Sequence, residues 1–525
     1  MFKLKYGWFL ATFLLFVNPG TSVGQSYDVI IRNGRILDGT GNPWFKGDVG
    51  IDGKMISAIG DLGEAVARRE VDASGLYVTP GFIDTHSHAG PGLTTEVLSE
   101  AHPLLAQGIT TVLINPDGGG MVDLRDQKEQ LKKHGIGVNV IQLVPHGSIR
   151  RSVMGAEDRV PTESEMSRML DLVQSGMEEG AFGLSSGTFY VPGSYSDASE
   201  IEEMAKIAAQ YRGIYTSHIR DESNYTIGLI ASVEEVINVA RNAEIPSVIT
   251  HVKALGPPVW GYGSAVVRKI EAAREEGLEI YADQYPYLGS STGLSAALLP
   301  RWAQSGGADS LLNRLDRPGV REDIMAAMED NLARRGGADR IQFRRVTFDQ
   351  KIEGKLLSDV AEERGQSALE LATEVIGKGG ASIISFNMFK DDLETLMIQP
   401  WTMTSSDGGL ATWMEGVPHP RSYGAFPRKI RKYVLEDEIV SLAEAVRSMT
   451  GLPAQAFRIK GRGLLRVGSY ADLLVLDLKR INDPATFTEP HQLAEGMVEV
   501  FVGGEAAVSG GEFTGVTAGE IITRN

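Results

Sequence analysis

Eight short apolar segments, spaced between residues 82 and 407, constrain the fold of this chain more than any other feature. We predict strands at residues 82–88, 109–116, 138–146, 180–186, 213–219, 246–252, 278–287 and 401–407. Between them, residues 199–211 and 227–242 carry apolar side chains at three- and four-residue spacing, which is typical of amphipathic helices. Eight strands that alternate with helices predict a (β/α)₈ barrel.

Both ends of the chain have a different pattern. Residues 25–80 and 456–525 alternate short apolar runs with Gly, Asn and Asp, which predicts β-strands joined by turns. We expect the two ends to form one small β-sandwich that flanks the barrel of residues 81–455. Residues 288–400 are too long for a single loop, so we predict an insertion at about residues 290–350 beside the mouth of the barrel.

Composition excludes several classes of function. The 525 residues carry a formal net charge of −17, which argues against a nucleic-acid partner. The chain has no cysteine, so disulfides and thiolate metal sites are excluded. Any metal ion must therefore be bound by His, Asp or Glu. The sequence does not predict an oligomeric state.

Residues 1–24 are typical of a secretory signal peptide. Lys3 and Lys5 precede the apolar residues 7–17, and the small residues Ser22 and Gly24 lie before a predicted cleavage site. An uncleaved anchor is the alternative, although the apolar stretch is short for a spanning helix. No later segment has the length of a membrane span. We expect an exported, periplasmic or secreted protein with no membrane attachment after signal removal.

Side chains that can bind metal ions lie at the ends of several predicted strands. His86 and His88 alternate along one strand, so both side chains lie on the same face and could bind one ion. The further candidates are His218, His251 and Asp407. Each of these residues alone is more often structural. All five at the ends of barrel strands indicate a metal-dependent hydrolase, because chemistry in such barrels lies at the carboxyl ends of the strands.

Several motifs extend this pattern to a known family. They lie at residues 79–88, 183–187, 190–193, 218–222, 283–287, 419–421, 423–428 and 490–492. From about residue 26 to its end, the chain resembles the amidohydrolase superfamily, in particular its D-aminoacylase group. The resemblance implies a zinc-dependent hydrolase with one or two bound ions.

One position departs from the D-aminoacylase pattern. Where that group has a metal-binding cysteine after the second barrel strand, this chain has Asp117, between Pro116 and Gly118. A carboxylate can bind or bridge zinc, although it is a harder donor than thiolate. Pro-Asp-Gly is also a strong turn signal. Asp117 is therefore either a metal ligand or a turn residue.

The resemblance implies a role for each candidate. The metal ligands would be His86, His88, Asp117, His218, His251 and Asp407, and Asp407 would also act as the catalytic proton carrier. The substrate would be held by Tyr190, Lys253, Tyr285 and Arg421. Lys253 and Arg421 suit a substrate with a free carboxylate, because ammonium and guanidinium groups bind carboxylates.

The expected reaction is hydrolysis of the amide bond of N-acyl amino acids, in particular those of D configuration. A metal-dependent dipeptidase acting on D-residue-containing dipeptides and a cyclic-amide hydrolase are alternatives on the same site. An exported, metal-stabilised binding protein is the alternative outside the enzymes. Asp407 speaks against it, because binding alone needs no proton carrier.

Overall fold

The computed structural model describes residues 26–524. The predicted signal peptide, residues 1–24, lies outside this range. Within it, none of the helices combines the length and the hydrophobicity needed to cross a lipid bilayer.

A parallel β-barrel forms the centre of the molecule and confirms the predicted (β/α)₈ fold. Its eight strands are Phe82–Asp84, Ile109–Ile114, Asn139–Gln142 continued by Val144–Pro145, Gly183–Gly187, Ile214–His218, Ser247–Ile249, Ile280–Gln284 and Thr402–Thr404. Each coincides with one of the predicted ranges, although the fourth strand extends one residue beyond its range, to Gly187. The first and last strands are joined just beyond their ends, where the amide of Asp407 donates to the carbonyl of His86 at 2.9 Å and that of His88 to Gly408 at 2.8 Å.

Amphipathic helices surround the barrel. Four of them are Glu163–Glu178, Ala198–Gln210, Leu229–Asn242 and Gly263–Glu275. The first begins with a capping box, in which Thr162 and Glu165 satisfy each other's backbone amides. These helices bury apolar side chains, among them Val173 and Ile201, in the same core as the barrel strands. The burial of this stripe holds each helix against the barrel.

Strands from both chain ends combine in one nine-stranded sheet. The amino-terminal strands are Ser26–Ile36, Phe45–Asp52, Met55–Gly60, Val66–Asp72 and Tyr77–Pro80, and the carboxyl-terminal ones are Leu473–Leu476, Met497–Val502, Glu505–Ser509 and Glu512–Phe513. The two sets meet where Tyr77–Pro80 pairs antiparallel with Leu473–Leu476. They share one apolar cluster that includes Ile31, Val49 and Phe501.

The last short strand does not join this sheet. Ile521–Ile522 pairs with the third barrel strand, with Ile521 opposite Val140. The carboxyl terminus therefore returns to the barrel after completing the sheet.

The insertion is larger than predicted. Strands Ser290–Gly293, Ile341–Arg345 and Ser382–Ser385 form a three-stranded antiparallel sheet. The helices between them are Leu294–Leu298, Ala308–Leu315, Pro318–Arg334, Leu357–Arg364 and Ala368–Gly377. Because the third strand pairs with both of the others, the insertion extends to Ser385 and does not end near residue 350. It has an apolar core of its own, with Ile324, Phe343 and Ile383 fully buried.

Candidate metal and substrate site

The predicted site residues converge on one cavity at the carboxyl ends of the barrel strands. The cavity has a volume of about 960 Å³, and its walls include His88, Asp117, His218, Lys253 and Asp407. Each of these side chains follows or ends a different barrel strand. The fold thus brings together residues that are separated by up to 319 positions in the sequence (407 − 88).

Two groups of potential metal ligands share the carboxylate of Asp117. The first comprises His86, His88, Asp117 and Asp407, and the second comprises Asp117, His218 and His251. In the first group, Asp117 Oδ1 lies 3.3 Å from His86 Nε2, and Asp117 Oδ2 lies 3.4 Å from His88 Nε2. Asp407 Oδ1 lies 3.2 Å from His88 Nε2.

The second group approaches the same oxygen of Asp117 as His86 does. Asp117 Oδ1 is 3.7 Å from His218 Nδ1 and 3.4 Å from His251 Nε2. The rings of His218 and His251 are 4.3 Å apart, in an edge-to-face arrangement. Asp117 therefore stands between the two groups, in the position of a bridging carboxylate.

The donor atoms of these groups fit zinc. Both ring nitrogens of His86, both of His218 and Oδ1 of Asp117 are buried without a hydrogen-bond partner among the described residues. Buried polar atoms are normally satisfied, so this many unpaired atoms in one place need an explanation. Imidazole nitrogens and carboxylate oxygens are common zinc ligands, and a cation beside Asp117 Oδ1 would pair with that oxygen and with one ring nitrogen of each neighbouring histidine.

The backbone at the site is strained. Four non-glycine residues at the ends of barrel strands have positive φ: Asn115 at 63°, Asp117 at 55°, His251 at 36° and Asp407 at 48°. Left-handed backbone is unfavourable for residues with a side chain and concentrates at functional sites. Gly118 continues the turn with φ of 67°, where a Cβ atom would lie 2.9 Å from the amide nitrogen of Gly147. Asp117 is thus in a turn, and the turn directs its carboxylate towards the histidines.

Glu222 supports the second group of ligands from behind. Its Oε1 atom lies 3.1 Å from His251 Nδ1, and its Oε2 atom lies 3.7 Å from His218 Nε2. Each of these nitrogens is on the opposite side of its ring from the nitrogen that faces Asp117. Carboxylates placed in this way orient metal-binding histidines and fix which nitrogen carries the proton.

The two cations predicted to bind a substrate carboxylate are held by carboxylates of the site. Lys253 Nζ donates to Glu222 Oε1 at 2.5 Å and to the carbonyl of His251 at 2.8 Å. Arg421 Nη1 lies 2.8 Å from Asp407 Oδ2. The amide of Arg421 donates to His419 Nδ1 at 3.0 Å, which fixes the backbone from which the guanidinium extends.

The two tyrosines lie on either side of these groups. The ring of Tyr190 is 4.6 Å from that of His218, and its hydroxyl accepts a hydrogen bond from Thr292 Oγ1 at 3.4 Å. Tyr285 lies below the guanidinium of Arg421, at 4.6 Å from ring centre to Cζ, and 5.6 Å from Lys253 Nζ. The ring of Tyr285 is therefore within cation–π distance of both cations at the cavity wall.

The charges of the site keep the carboxylates of Asp117 and Asp407 ionised. Burial would raise the pKa of Asp117, but His86, His218 and His251 hold it well below its usual value. Burial would likewise raise the pKa of Asp407, but Arg421, together with His88, His251 and His86, holds it well below the usual value. Ionised carboxylates between imidazoles provide the negative charge that a divalent cation requires.

Comparison with known proteins identifies the family. The Amidohydrolase family profile matches residues 69–508. The chain is 32% identical to D-aminoacylase of Alcaligenes xylosoxydans xylosoxydans, over 96% of this chain and 99% of the relative.

The chain belongs to the amidohydrolase family.

Solved structures of similar proteins agree with this assignment. A crystal structure of D-aminoacylase matches with a TM-score of 0.80 and 30% identity, over 95% of this chain and all of that chain. N-acyl-D-glutamate deacylase from Bordetella bronchiseptica, complexed with zinc and a phosphonate inhibitor, matches with a TM-score of 0.80 and 31% identity over the same shares. The expected membership in this family is confirmed.

The site of this amidohydrolase also contains residues that the sequence analysis did not single out. Glu222 belongs to the motif at residues 218–222, on which the family resemblance partly rests. Its position four residues after His218 could have indicated that it contacts this histidine. Arg344 is the last residue but one of strand Ile341–Arg345 in the insertion, and it lines the cavity. Its local sequence gives no signal of this role. A third, Glu200, pairs with His146 at 2.8 Å in the core behind the site.

Proposed function

We propose that this amidohydrolase is a zinc-dependent deacylase that hydrolyses N-acyl-D-amino acids to a carboxylate and a free amino acid. The observation that carries the proposal is the arrangement of two ligand groups around Asp117, with Asp407 and two cations beside them in one cavity. The D configuration is supported by the similarity to D-aminoacylase and N-acyl-D-glutamate deacylase.

In this proposal, one or two zinc ions are held by His86, His88, Asp117, His218, His251 and Asp407. When bound, zinc polarises the amide carbonyl and makes water a better nucleophile at neutral pH. Asp117 contributes to both ligand groups. Its carboxylate takes the place at which the family pattern has cysteine.

Asp407 is the proton carrier. Its carboxylate accepts a proton from the attacking water and delivers it to the nitrogen of the leaving amino acid. The guanidinium of Arg421, 2.8 Å away, keeps Asp407 ionised and thus able to accept that proton. Because Asp407 is 6% exposed, few water molecules compete for its proton.

Recognition of the amino acid depends on residues directly beside the metal ligands. Lys253 and Arg421 bind the α-carboxylate of the substrate, and the ring of Tyr285 contacts both cations. Tyr190, which packs against His218 on the cavity surface, contacts the acyl group. A substrate that lacks a free carboxylate would lose the charged contact with both cations, which would remain paired with Glu222 and Asp407.

The first test is a substrate panel. Purified protein supplied with zinc is assayed with N-acetyl derivatives of several amino acids in D and L form, and with D-residue-containing dipeptides. We expect hydrolysis of the N-acetyl-D-amino acids and little of the L forms. Activity confined to dipeptides would replace this proposal with the dipeptidase alternative.

We further propose that the enzyme acts outside the cytoplasm, in the periplasm or the medium. The basis is residues 1–24, with their basic start, apolar centre and small residues before Gln25. Sequencing the amino terminus of protein from the native host tests this. An intact Met1 on cytoplasmic protein would refute export.

A further inference from the structure

Arg344 reaches the cavity from an irregularity in the insertion sheet. In the pairing of Ile341–Arg345 with Ser382–Ser385, Phe343 lies opposite Ile383 and Arg345 lies opposite Ser382. Arg344 is therefore an extra residue with no partner on the neighbouring strand. Such bulges redirect a side chain and are frequent beside active sites. Here the side chain of Arg344 forms part of the cavity wall.

The surrounding structure fixes this position. The carbonyl of Arg344 accepts a hydrogen bond from the amide of Val417 at 2.9 Å, in the loop that follows Asp407. The preceding residue, Phe343, is fully buried in the core of the insertion, and its amide and carbonyl bond to Lys355 and Gly354. The guanidinium is thus carried by a rigid part of the insertion.

No protein carboxylate neutralises Arg344. Three carboxylates line the cavity, and each is engaged: Asp117 by the histidines, Glu222 by Lys253 and Asp407 by Arg421. Among residues 26–524, Arg344 has neither an ion pair nor a side-chain hydrogen bond.

The other arginines of the cavity differ from Arg344 in this respect. Arg335 donates to Ser385 Oγ at 2.9 Å, and Arg151 donates to the carbonyl of Val191 at 2.7 Å. Burial, followed by the charge of Arg421, lowers the pKa of Arg344 to about 10. Arg344 and Arg421 both line the cavity, and Asp407 is already paired with Arg421, so the charge of Arg344 favours the binding of a further anion.

We propose that Arg344 binds a second carboxylate of the substrate, on its side chain, so that the substrates are N-acyl-D-amino acids with an acidic side chain. The inference rests on the proposed function, in which Lys253, Tyr285 and Arg421 take the α-carboxylate. A guanidinium can hold a carboxylate through two parallel hydrogen bonds, which an uncharged amide cannot match. Arg344 is then the residue that determines side-chain specificity.

Hydrolysis of two matched substrates tests this assignment. N-acetyl-D-glutamate and N-acetyl-D-glutamine have nearly the same shape and differ in the side-chain charge. The wild-type protein should prefer the glutamate derivative. Arg344→Met should lower kcat/KM for N-acetyl-D-glutamate about ten- to a hundredfold, and should lower the value for N-acetyl-D-glutamine much less.

Arg345→Met is the matched control. Arg345 is the next residue of the same strand, but its guanidinium forms an ion pair with Glu415 and is 42% exposed. We expect this variant to keep the wild-type ratio of kcat/KM for the two substrates. Arg344→Lys retains the charge without the two-pronged geometry and should give an intermediate loss. Zinc content and Tm of each variant show whether it has folded.

Binding of the reaction products separates this inference from the proposed function. Calorimetry with zinc-loaded protein should show tighter binding of D-glutamate than of D-glutamine, and Arg344→Met should abolish the difference. If the protein binds D-glutamate in this way but hydrolyses neither substrate, the deacylase proposal fails and the role of Arg344 stands. Equal losses on both substrates and both products, or no loss, would overturn the role of Arg344.

Discussion

The barrel wall and the insertion wall of the cavity are built differently. On the barrel wall, histidines and carboxylates extend from strand ends, and every carboxylate faces a positively charged or metal-type group. On the insertion wall, Arg344 comes from a bulged strand and has no protein anion beside it. The barrel wall is therefore complete once a metal ion is bound, whereas the insertion wall needs a substrate to balance its charge.

The residues for catalysis and the residue for substrate specificity therefore lie on different walls of the cavity. Residues at strand ends of a barrel hold precise positions because the strands are fixed by their neighbours. An inserted segment can change without disturbing those positions. The present amidohydrolase thus combines the family's catalytic site with an insertion that has its own apolar core. The insertion supplies Arg344, which binds the side chain of the substrate.

The largest effect should come from the barrel wall, at Asp407. Asp407→Asn keeps the shape of the side chain but removes its capacity to accept a proton. We expect kcat to fall about 10²- to 10⁴-fold, while the protein still binds zinc and D-glutamate. Rapid-quench or steady-state kinetics, with elemental analysis of the same sample, provide the measurement. A variant with nearly wild-type kcat would exclude Asp407 as the proton carrier.

The barrel wall was also the part that the sequence predicted well. A strand that ends in His-x-His places two ligands on one face, and the parallel strands of a barrel bring their ends to one rim. His86, His88, His218, His251 and Asp407 could therefore be placed together from sequence alone. The role of Asp117 could not be decided, because a Pro-Asp-Gly turn does not reveal where its carboxylate points.

The insertion wall was predicted poorly for a physical reason. Strand Ser382–Ser385 pairs with strands about 40 and 90 residues earlier, and such long-range pairing leaves no local periodicity. The predicted end near residue 350 was therefore too early. The bulge at Arg344 depends on the same pairing, so nothing in the local sequence distinguished Arg344 from Arg345.

The next effect also concerns the barrel wall, at Lys253, which follows barrel strand Ser247–Ile249. Lys253→Met removes one partner of the α-carboxylate and should lower kcat/KM for N-acyl-D-amino acids about ten- to a hundredfold. The corresponding amides lack the carboxylate charge and should lose much less. Parallel kinetics on N-acetyl-D-glutamate and its α-amide make the comparison. Equal losses would assign Lys253 to the metal site through Glu222 and the carbonyl of His251.

Glu222 offers a test of the barrel wall that does not depend on turnover. Glu222→Gln keeps the size of the side chain but weakens its hold on His251 and His218. We expect zinc affinity to fall about ten- to a hundredfold, measured by competition with a coloured chelator. Glu415→Gln, on the exposed ion pair with Arg345, is the control and should leave zinc affinity unchanged. Unaltered affinity in Glu222→Gln would show that Glu222 serves only to hold Lys253.

The smallest effect should come from the insertion itself. Ser367 caps helix Ala368–Gly377 by accepting from the amide of Glu370, whose side chain in turn accepts from the amide of Ser367. Ser367→Ala removes half of this capping box and should cost about 1 kcal/mol of stability. Urea unfolding would measure the loss.

The corresponding change on the barrel, Thr162→Ala, removes the cap of helix Glu163–Glu178 and makes the comparison direct. Because the insertion has its own core, it can unfold as a separate unit. In that case, Ser367→Ala should lower the midpoint urea concentration only of the transition in which substrate discrimination is lost. Zinc should stay bound during this transition. Thr162→Ala should instead lower the midpoint urea concentration of the transition in which zinc is released. A single shared transition, shifted equally by both variants, would show that the two walls unfold as one cooperative unit.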